Sequence, residues 1–404
     1  MEKKVVLMLI PNLNFGGAQR VFYNHSIELA KHYRVVECIF NSREGHAFHS
    51  GNEVRSLDVD GGTNLVSKFW QLILRCKRLR QLKKSLKADV CISHLEGADL
   101  VNVLSGGGAK TITWVHGSKK HDQNIEGFLG FIRHKFLIPF TYRRADKVIT
   151  VSKAIEDELA RHYWVNMNRV ETIYNYFDVE DIVSKSEIPL DPSYRPVFEN
   201  SQVLIFSGRL ARQKNPAFML KWFASFVKYY PCKLVIVGDG ELRESLLELC
   251  ETLNLKKYSV WAGQRLHQNY EVYFLGFQEN PFQFIKHASL FILPSSWEGF
   301  PMVLGEAMAC GVPVASADCP TGPKEMLMDG IFENLNYPCF TTYGLLLPLL
   351  DDNGHSGWSE GVSEMLRKKD LLDHYAIQGT KRINDFSRAL NSKRIVERIE
   401  SVIG

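Results

Sequence analysis

Glu298 and Glu306 lie eight residues apart in the stretch 291–314, FILPSSWEGFPMVLGEAMACGVPV. Residues 291–293 form a short apolar run stopped by Pro294, which reads as a strand. A loop, 295–300, follows. Pro301 suits the first turn of a helix, where its missing N–H costs little. Residues 302–309 continue that helix, Gly311 ends it, and Val312-Pro313-Val314 begins another strand. The loop therefore brings Glu298, followed by Gly299, to a helix N-terminus. Free N–H groups and positive partial charge at such an end suit a phosphate or a sugar hydroxyl. Glu306 falls near mid-helix. The plain alternative is a surface helix with one solvated Glu and a loop Glu beside it.

Other residues could meet a phosphate or a metal. Gly16 and Gly17 lie between a first strand, 5–10, and a helix, 21–31. A glycine pair there lets backbone approach a phosphate, although a tight turn needs the same residues. The spacing is not G-x-G-x-x-G, so no dinucleotide fingerprint is read. Asp58-Val59-Asp60 ends a short strand and runs into Gly61-Gly62, so it reads as a turn rather than a metal-binding pair. No metal site is expected. His116 closes the strand 111–115, where a lone His is most often structural.

A chain of 404 residues is too long for one ordinary core, and two α/β domains are expected. The apolar run after Met1 is short for a signal peptide and reads as a buried strand. No run approaches the ~20 apolar residues of a spanning helix. Eight cysteines without C-x-x-C pairs suit reduced thiols, hence a cytoplasmic location. Residues 1–178 carry 26 Lys and Arg against 18 Asp and Glu, whereas residues 179–404 carry 23 against 27. A basic first half points to an anionic partner. No nucleic-acid motif accompanies it, and nucleic acid is not expected.

Residues 68–87, KFWQLILRCKRLRQLKKSLK, form a basic amphipathic helix, with Phe69, Leu72, Cys76, Leu79, Leu82 and Leu86 at helical spacing and eight Lys or Arg. Residues 128–147 repeat the mixture of aromatics, leucines and cations. Each reads as a packed helix with a solvated basic face. Together they point to an anionic membrane surface.

E-G-F-P-x-x-x-x-E-A-M-A-x-G-x-P-V, from Glu298 to Val314, resembles the donor-site signature of retaining glycosyltransferases of family four, which have the GT-B fold. The resemblance runs over nearly the whole chain. Ser207-Gly208-Arg209-Leu210 with Lys214-Asn215 is similar to the family's G-R-L-x-x-x-K-[GN], and Gly16-Gly17-Ala18-Gln19-Arg20 to its G-G-x-E-R, with Gln19 in place of Glu. Residues 146–152 and 170–178 are similar to two further family segments, with Tyr176 in place of the usual Gly, and Ser152 is read as an N-cap. Residues 317–325 resemble members that handle galactose-type and N-acetylhexosamine donors in bacterial surface glycans.

The resemblance implies two doubly wound, parallel-sheet, Rossmann-like α/β domains facing each other across a cleft. Their expected bounds are 1–178, holding acceptor and membrane, and 201–385, holding the nucleotide sugar. A linker spans 179–200, and a final helix, 386–404, crosses back to the first domain. The implied activity is transfer of a hexose or N-acetylhexosamine from a nucleotide sugar, UDP-linked, to a glycan acceptor linked to polyprenyl diphosphate, with retention and no cofactor. Arg209 and Lys214 clamp the diphosphate, whose charge grows as it leaves. Glu298 and the backbone of Gly299, Phe300, Pro301, Met302 and Val303 hold the sugar, and Glu306 the ribose. Gly16 and Gly17 touch the diphosphate, Gly238 lies at the nucleotide side, and the backbone near Phe277 meets the base. His116 contacts the sugar or lies near the acceptor. The implied location is peripheral, at the inner face of the plasma membrane. A nucleotide-sugar epimerase of the same fold and a non-catalytic membrane scaffold are the other readings.

Overall fold

In the computed structural model the chain divides into two compact units, Met1–Asn175 with Ala389–Gly404, and Tyr176–Arg388. All residues are described except 1–2, 15, 44–46, 123–126, 331–334 and 352–354. Phe15 of the glycine loop and part of the divergent stretch 329–342 thus lie outside the described residues.

The first unit contains strands β1 (Val5–Leu9), β2 (Arg34–Ile39), β3 (Glu53–Ser56), β4 (Val90–His94), β5 (Lys110–Val115), β6 (Lys147–Thr150) and β7 (Val170–Thr172). They form one sheet in the order β3-β2-β1-β4-β5-β6-β7, parallel throughout. The central strands are near-continuous apolar runs, as a sheet covered on both faces requires. The second unit contains β8 (Val203–Ser207), β9 (Lys233–Val237), β10 (Lys257–Ser259), β11 (Val272–Gly276), β12 (Leu290–Leu293), β13 (Val314–Ala317), β14 (Cys339–Phe340) and β15 (Leu345–Leu347). Their order is β10-β11-β9-β8-β12-β13-β15-β14. Only the terminal pair β14–β15 runs antiparallel. The first sheet's order reverses between β1 and β4, and the central run of the second, β9-β8-β12-β13, reverses between β8 and β12. Ligands of open α/β sheets bind beyond the carboxyl ends of strands at such a point.

Residues 179–200 are not an open linker. They form helices Val179–Ser186 and Arg195–Phe198 within the second unit. Asp178 caps the first, its Oδ1 accepting from the Asp181 N–H at 3.2 Å. Ile182, Leu190 and Val197 are buried, and Lys233 Nζ donates to the carbonyls of Pro196 and Val197. Of the three prolines that read as linker residues, Pro196 sits in the first turn of a helix. The Ser152 side chain does not cap. It stands at the N-cap position of Lys153–Tyr163 without a side-chain bond, while the hydroxyls of Thr150 and Thr172 donate to its carbonyl.

The basic helix runs Leu65–Leu86, opened by a capping box between Asn64 and Ser67. Leu79 enters the core, with Leu72, Cys76, Leu82 and Leu86 packed beside it. Phe69 does not follow them. Leu65, Val66, Phe69, Trp70, Ile73 and Leu74 are exposed, Trp70 by 63%. Three cations expected to face solvent bind the protein itself. Arg75 donates to the carbonyls of Val59 and Asp60, and Arg78 to those of Leu57 and Asp58. Lys83 is buried and donates to Asn102 Oδ1 at 2.7 Å. A second exposed apolar set, with Phe128, Phe131, Phe136 and Phe140, lies on Gly127–Ile132 and the turns after it. Among the described residues no helix is long and apolar enough to cross a membrane.

Candidate active site

In the second unit, β8 and β12 deliver their loops to the reversal point. Lys214 ends a short 3-10 turn, Arg212–Lys214, after β8. Its Nζ donates to Glu298 Oε1 at 2.6 Å. The two side chains are 15% and 7% exposed, so the pair is largely withdrawn from water. Removing one partner of such a pair leaves an uncompensated charge, which is why pairing is needed there at all. Neighbouring bonds hold the loops together. Ser296 N–H donates to the Gln213 carbonyl at 2.9 Å, the Gln213 amide donates to the Trp297 carbonyl at 2.8 Å, and the Thr321 hydroxyl donates to the Glu298 carbonyl. A Cβ on Gly322 would meet the Gly299 carbonyl oxygen at 2.8 Å, so the loop after β13 presses onto the glutamate loop.

Pro301 is the N-cap of the helix Met302–Ala309 rather than a residue of its first turn. Met302 and Val303 are half-buried and open the helix. The first N–H groups of a helix have no partner within it. The Phe300 side chain is buried, with ring centroids 5.1 Å from Phe386 and 6.3 Å from Phe177, so it serves packing and leaves only its backbone to a ligand. Glu306 is buried at mid-helix.

Arg209 is turned to another partner. It is exposed and pairs with Glu241 at 3.1 Å. Gly238 packs backbone to backbone on the Arg209 loop: its φ is 137°, and a Cβ there would stand 2.0 Å from the Gly208 carbonyl oxygen. Only glycine tolerates both conditions. The Gly238 N–H donates to the Gly276 carbonyl at 2.8 Å, which sets half-exposed Phe277 at the same sheet edge. Trp261, from the stretch 256–270, packs near Phe274 and lies under the Arg243 guanidinium at 5.0 Å.

In the first unit, the ends of β4 and β5 meet the helix Gly17–Ala30, which follows β1, at the other reversal point. Gly16 is the N-cap of Gly17–Ala30, and a Cβ there would strike Gln19 Oε1. Gln19 in turn donates to Asn12 Oδ1 at 3.1 Å. A Cβ on Gly17 would meet nothing within 4 Å. His94 ends β4 and His116 follows β5. Strand register pairs His94 with Trp114. The His94 ring lies parallel to Trp114 at 5.6 Å, and its Nδ1 is 2.8 Å from His116 Nε2. His25, on Gly17–Ala30, adds a third imidazole 4.4 Å from Trp114. Burial pushes His25 down to about 3. It pushes His116 down to about 3 as well, with lesser contributions from His25 and Lys119. His94 lies well below the usual histidine value for the same first cause, with its two histidine neighbours adding to it. All three are therefore neutral near pH 7. Beneath them burial raises the Asp99 carboxyl to about 8, against the opposing effects of Lys119 and the Ser93 and Tyr142 hydroxyls.

Residues 15–181 match the family described as Glycosyltransferase Family 4, and residues 191–336 the family described as Glycosyl transferases group 1. The chain belongs to the glycosyltransferases. It is 29% identical to an uncharacterized glycosyltransferase of Methanocaldococcus jannaschii, over 78% of this chain and 80% of that one. It is 28% identical to the N-acetylgalactosamine-N,N'-diacetylbacillosaminyl-diphospho-undecaprenol 4-alpha-N-acetylgalactosaminyltransferase of Campylobacter jejuni, over 94% and 95%. HepE of Anabaena, solved in complex with UDP and glucose, superimposes with a TM-score of 0.75 at 17% identity, over 99% of this chain and 100% of that one. The two parallel-sheet domains are thus those of GT-B proteins.

Of the residues expected at the donor site, this glycosyltransferase joins Glu298 with Lys214, and Gly238 with the Arg209 loop and Phe277. It places Arg209 on Glu241, away from the Lys214–Glu298 pair. Sequence reasoning missed Gln213, Thr321 and Glu241, which tie these loops together, and His25 and His94 beside His116. The last had a signal: adjacent parallel strands, 90–94 and 110–115, each end close to a histidine.

Proposed function

We propose that this glycosyltransferase moves a hexose or N-acetylhexosamine from a UDP sugar to a glycan acceptor linked to polyprenyl diphosphate, with retention at the anomeric carbon, in bacterial surface-glycan synthesis. The observation that carries this reading is the buried Lys214–Glu298 pair at the β8/β12 reversal, beside a helix N-terminus. The printed activity of the Campylobacter relative and the UDP held by HepE support the acceptor and donor classes.

A diphosphate entering beside the pair competes with Glu298 for Lys214, and draws Arg209 from Glu241. Fixed cations then stabilise the leaving diphosphate as its charge grows. Glu298, released from its lysine, accepts sugar hydroxyls, and the N–H groups of Gly299, Phe300, Met302 and Val303 supply donors. Pro301 has no N–H and contributes shape. Glu306 takes the ribose hydroxyls, and the Phe277 backbone the base edge. Gly16 and Gly17 offer backbone to phosphate, and His116 a ring nitrogen to the reacting sugars. No side chain is assigned as a covalent nucleophile, and the departing phosphate serves as base. Charge supplied by Arg209 and Lys214 replaces a divalent ion, so transfer is expected to persist in EDTA.

The exposed apolar surfaces near Trp70 and Phe128, with the exposed Lys68, Lys77, Arg80, Lys84 and Lys87, rest on an anionic membrane. That brings a lipid-linked acceptor to a peripheral, cytoplasm-facing enzyme.

Thermal shift with UDP tests the donor site. UDP at about 100 times its dissociation constant adds about 2.7 kcal/mol to stability. Glu306→Ala should weaken UDP by more than about tenfold, since a hydrogen bond to a charged group contributes ~1.5–3 kcal/mol. Unchanged UDP affinity in that variant would remove Glu306 from the site. A UDP-hexose panel with an undecaprenyl-diphosphate-linked saccharide, read by anomeric NMR, tests transfer and retention. An inverted product would refute the stereochemistry.

A further inference from the structure

The contact between His94 and His116 determines which nitrogen of His116 carries its proton. A 2.8 Å approach of two neutral imidazole nitrogens accommodates one hydrogen between them. Had His116 Nε2 supplied it, neutral His94 would carry its own hydrogen on Nε2. That atom is buried and has no hydrogen-bond partner among the described residues. Its surroundings are rings: Trp114 in parallel, the edge of Phe22 at 5.2 Å, and His25 at 5.7 Å. An N–H there would be a second orphaned buried donor beside Trp114 Nε1, at the desolvation cost of an unsatisfied N–H. With the hydrogen on His94 Nδ1 instead, Nε2 is a bare lone pair among rings, the less costly choice.

We propose that His94 is a positioning residue: its Nδ1–H donates to His116 Nε2 and fixes His116 as the Nδ1–H tautomer, so that His116 presents a hydrogen-bond donor at the carboxyl end of β5. His94 is fully buried and clamped against Trp114, so it cannot swing away. Among the described residues His116 forms no other hydrogen bond, and its Nδ1–H is left for a ligand. Held in this way, His116 is not a general base: one nitrogen already bears its proton and the other already accepts one. It is a neutral donor suited to an oxygen of a sugar hydroxyl or a phosphate. The nature of that oxygen rests on the function proposed above. The tautomer does not.

The test is long-range 1H–15N correlation on the full chain labelled with 15N-histidine. Signals are assigned by their loss in His116→Gln and His94→Phe. Near pH 7, His116 is expected to show a protonated Nδ1 and a bare Nε2. A protonated Nε2 on His116 overturns the proposal, whether or not any variant folds. In His94→Phe the constraint is gone, and His116 should shift toward Nε2–H. Turnover should then fall by about tenfold, the scale seen when an orienting partner of a histidine is removed, with the donor KM little changed. His94→Asn, whose amide N–H stands close to where Nδ1 stood, should restore the Nδ1–H tautomer and most of the turnover. A His94→Phe variant with an unchanged tautomer overturns the proposal. Full activity in His116→Gln alongside the expected wild-type tautomer would uphold the assignment and remove His116 from the reaction.

Discussion

The two sheets bury ionisable groups at their reversal points by opposite means. The second unit keeps a carboxylate and an ammonium together, Glu298 with Lys214 at 2.6 Å. The first unit keeps three imidazoles neutral, packed on Trp114 and on one another. Charges that must meet a diphosphate have to be present before it arrives, and pairing stores them at tolerable cost. Groups that orient by hydrogen bonds need no charge, and burial removes it. On the function proposed above, one edge would serve anions and the other uncharged donors and acceptors.

The largest effect should come from unpairing the charged edge. Lys214→Met is expected to destabilise the second unit by about 3 kcal/mol in urea titrations, because Glu298 stays buried without its cation. Lys214→Met combined with Glu298→Gln should recover most of that loss and none of the transfer activity. Equal cost for the single and double variants would show that the pair is not what holds the loops.

An intermediate effect should come from acid. Folded His25 and His116 titrate at about 3, against an ordinary value of 6.5. The unfolded chain therefore binds the extra protons in between. Their contribution to stability is full above about pH 6.5 and is lost as pH falls toward 3. Asp99, raised to about 8 from 3.8, runs the other way and loses its contribution as pH rises through that range. Three histidines outweigh one carboxyl, so acid should loosen the first unit before the second. Incubation at pH 7 to 4.5, followed by pulsed hydrogen exchange at a common pH, resolves the two units by peptide. Simultaneous loss of protection in both would break the contrast.

The smallest effect on stability should come from the exposed apolar face. Phe69→Ser with Trp70→Ser should change stability by no more than about 0.5 kcal/mol, as for other surface positions. Co-sedimentation with anionic vesicles should nevertheless fall clearly. Retained binding would return these side chains to ordinary surface. Replacing Arg75, Arg78 and Lys83 is the poorer probe, since it removes bonds that hold the helix to the loop 57–60 and to Asn102.

The central strands and the donor motif were legible because each is local. A buried apolar run names a central strand, and the motif from Glu298 to Val314 carries its own strand, loop and helix. What was not legible depends on partners far away in the chain. Lys214 and Glu298 are 84 residues apart, and nothing in either segment announces the bond. Arg75, Arg78 and Lys83 read as solvated because charge is ordinarily exposed, yet the carbonyls of residues 57–60 and an asparagine were waiting for them. The 179–200 stretch read as linker from its prolines, while Ile182 and Val197 were the quieter signal of burial. His116 was found by its place after a strand. His94 needed the sheet order, which puts β4 beside β5.

The helix Arg388–Ile403 carries a consequence for biosynthesis. Its residues from Ala389 onward belong to the first unit, where Ile395 and Ile399 are buried and Arg398 bonds Glu171 at 2.5 Å. The chain passes back beside its outward crossing, with Phe177 N–H donating to the Phe386 carbonyl at 2.9 Å and Arg388 N–H to the Phe177 carbonyl at 3.1 Å. A ribosome must therefore emit the whole of the second unit before the first can close. Domains usually mature in the order they are made. Here the half that begins first is finished last, and a released chain ending at residue 388 would hold a complete second unit and an unfinished first one.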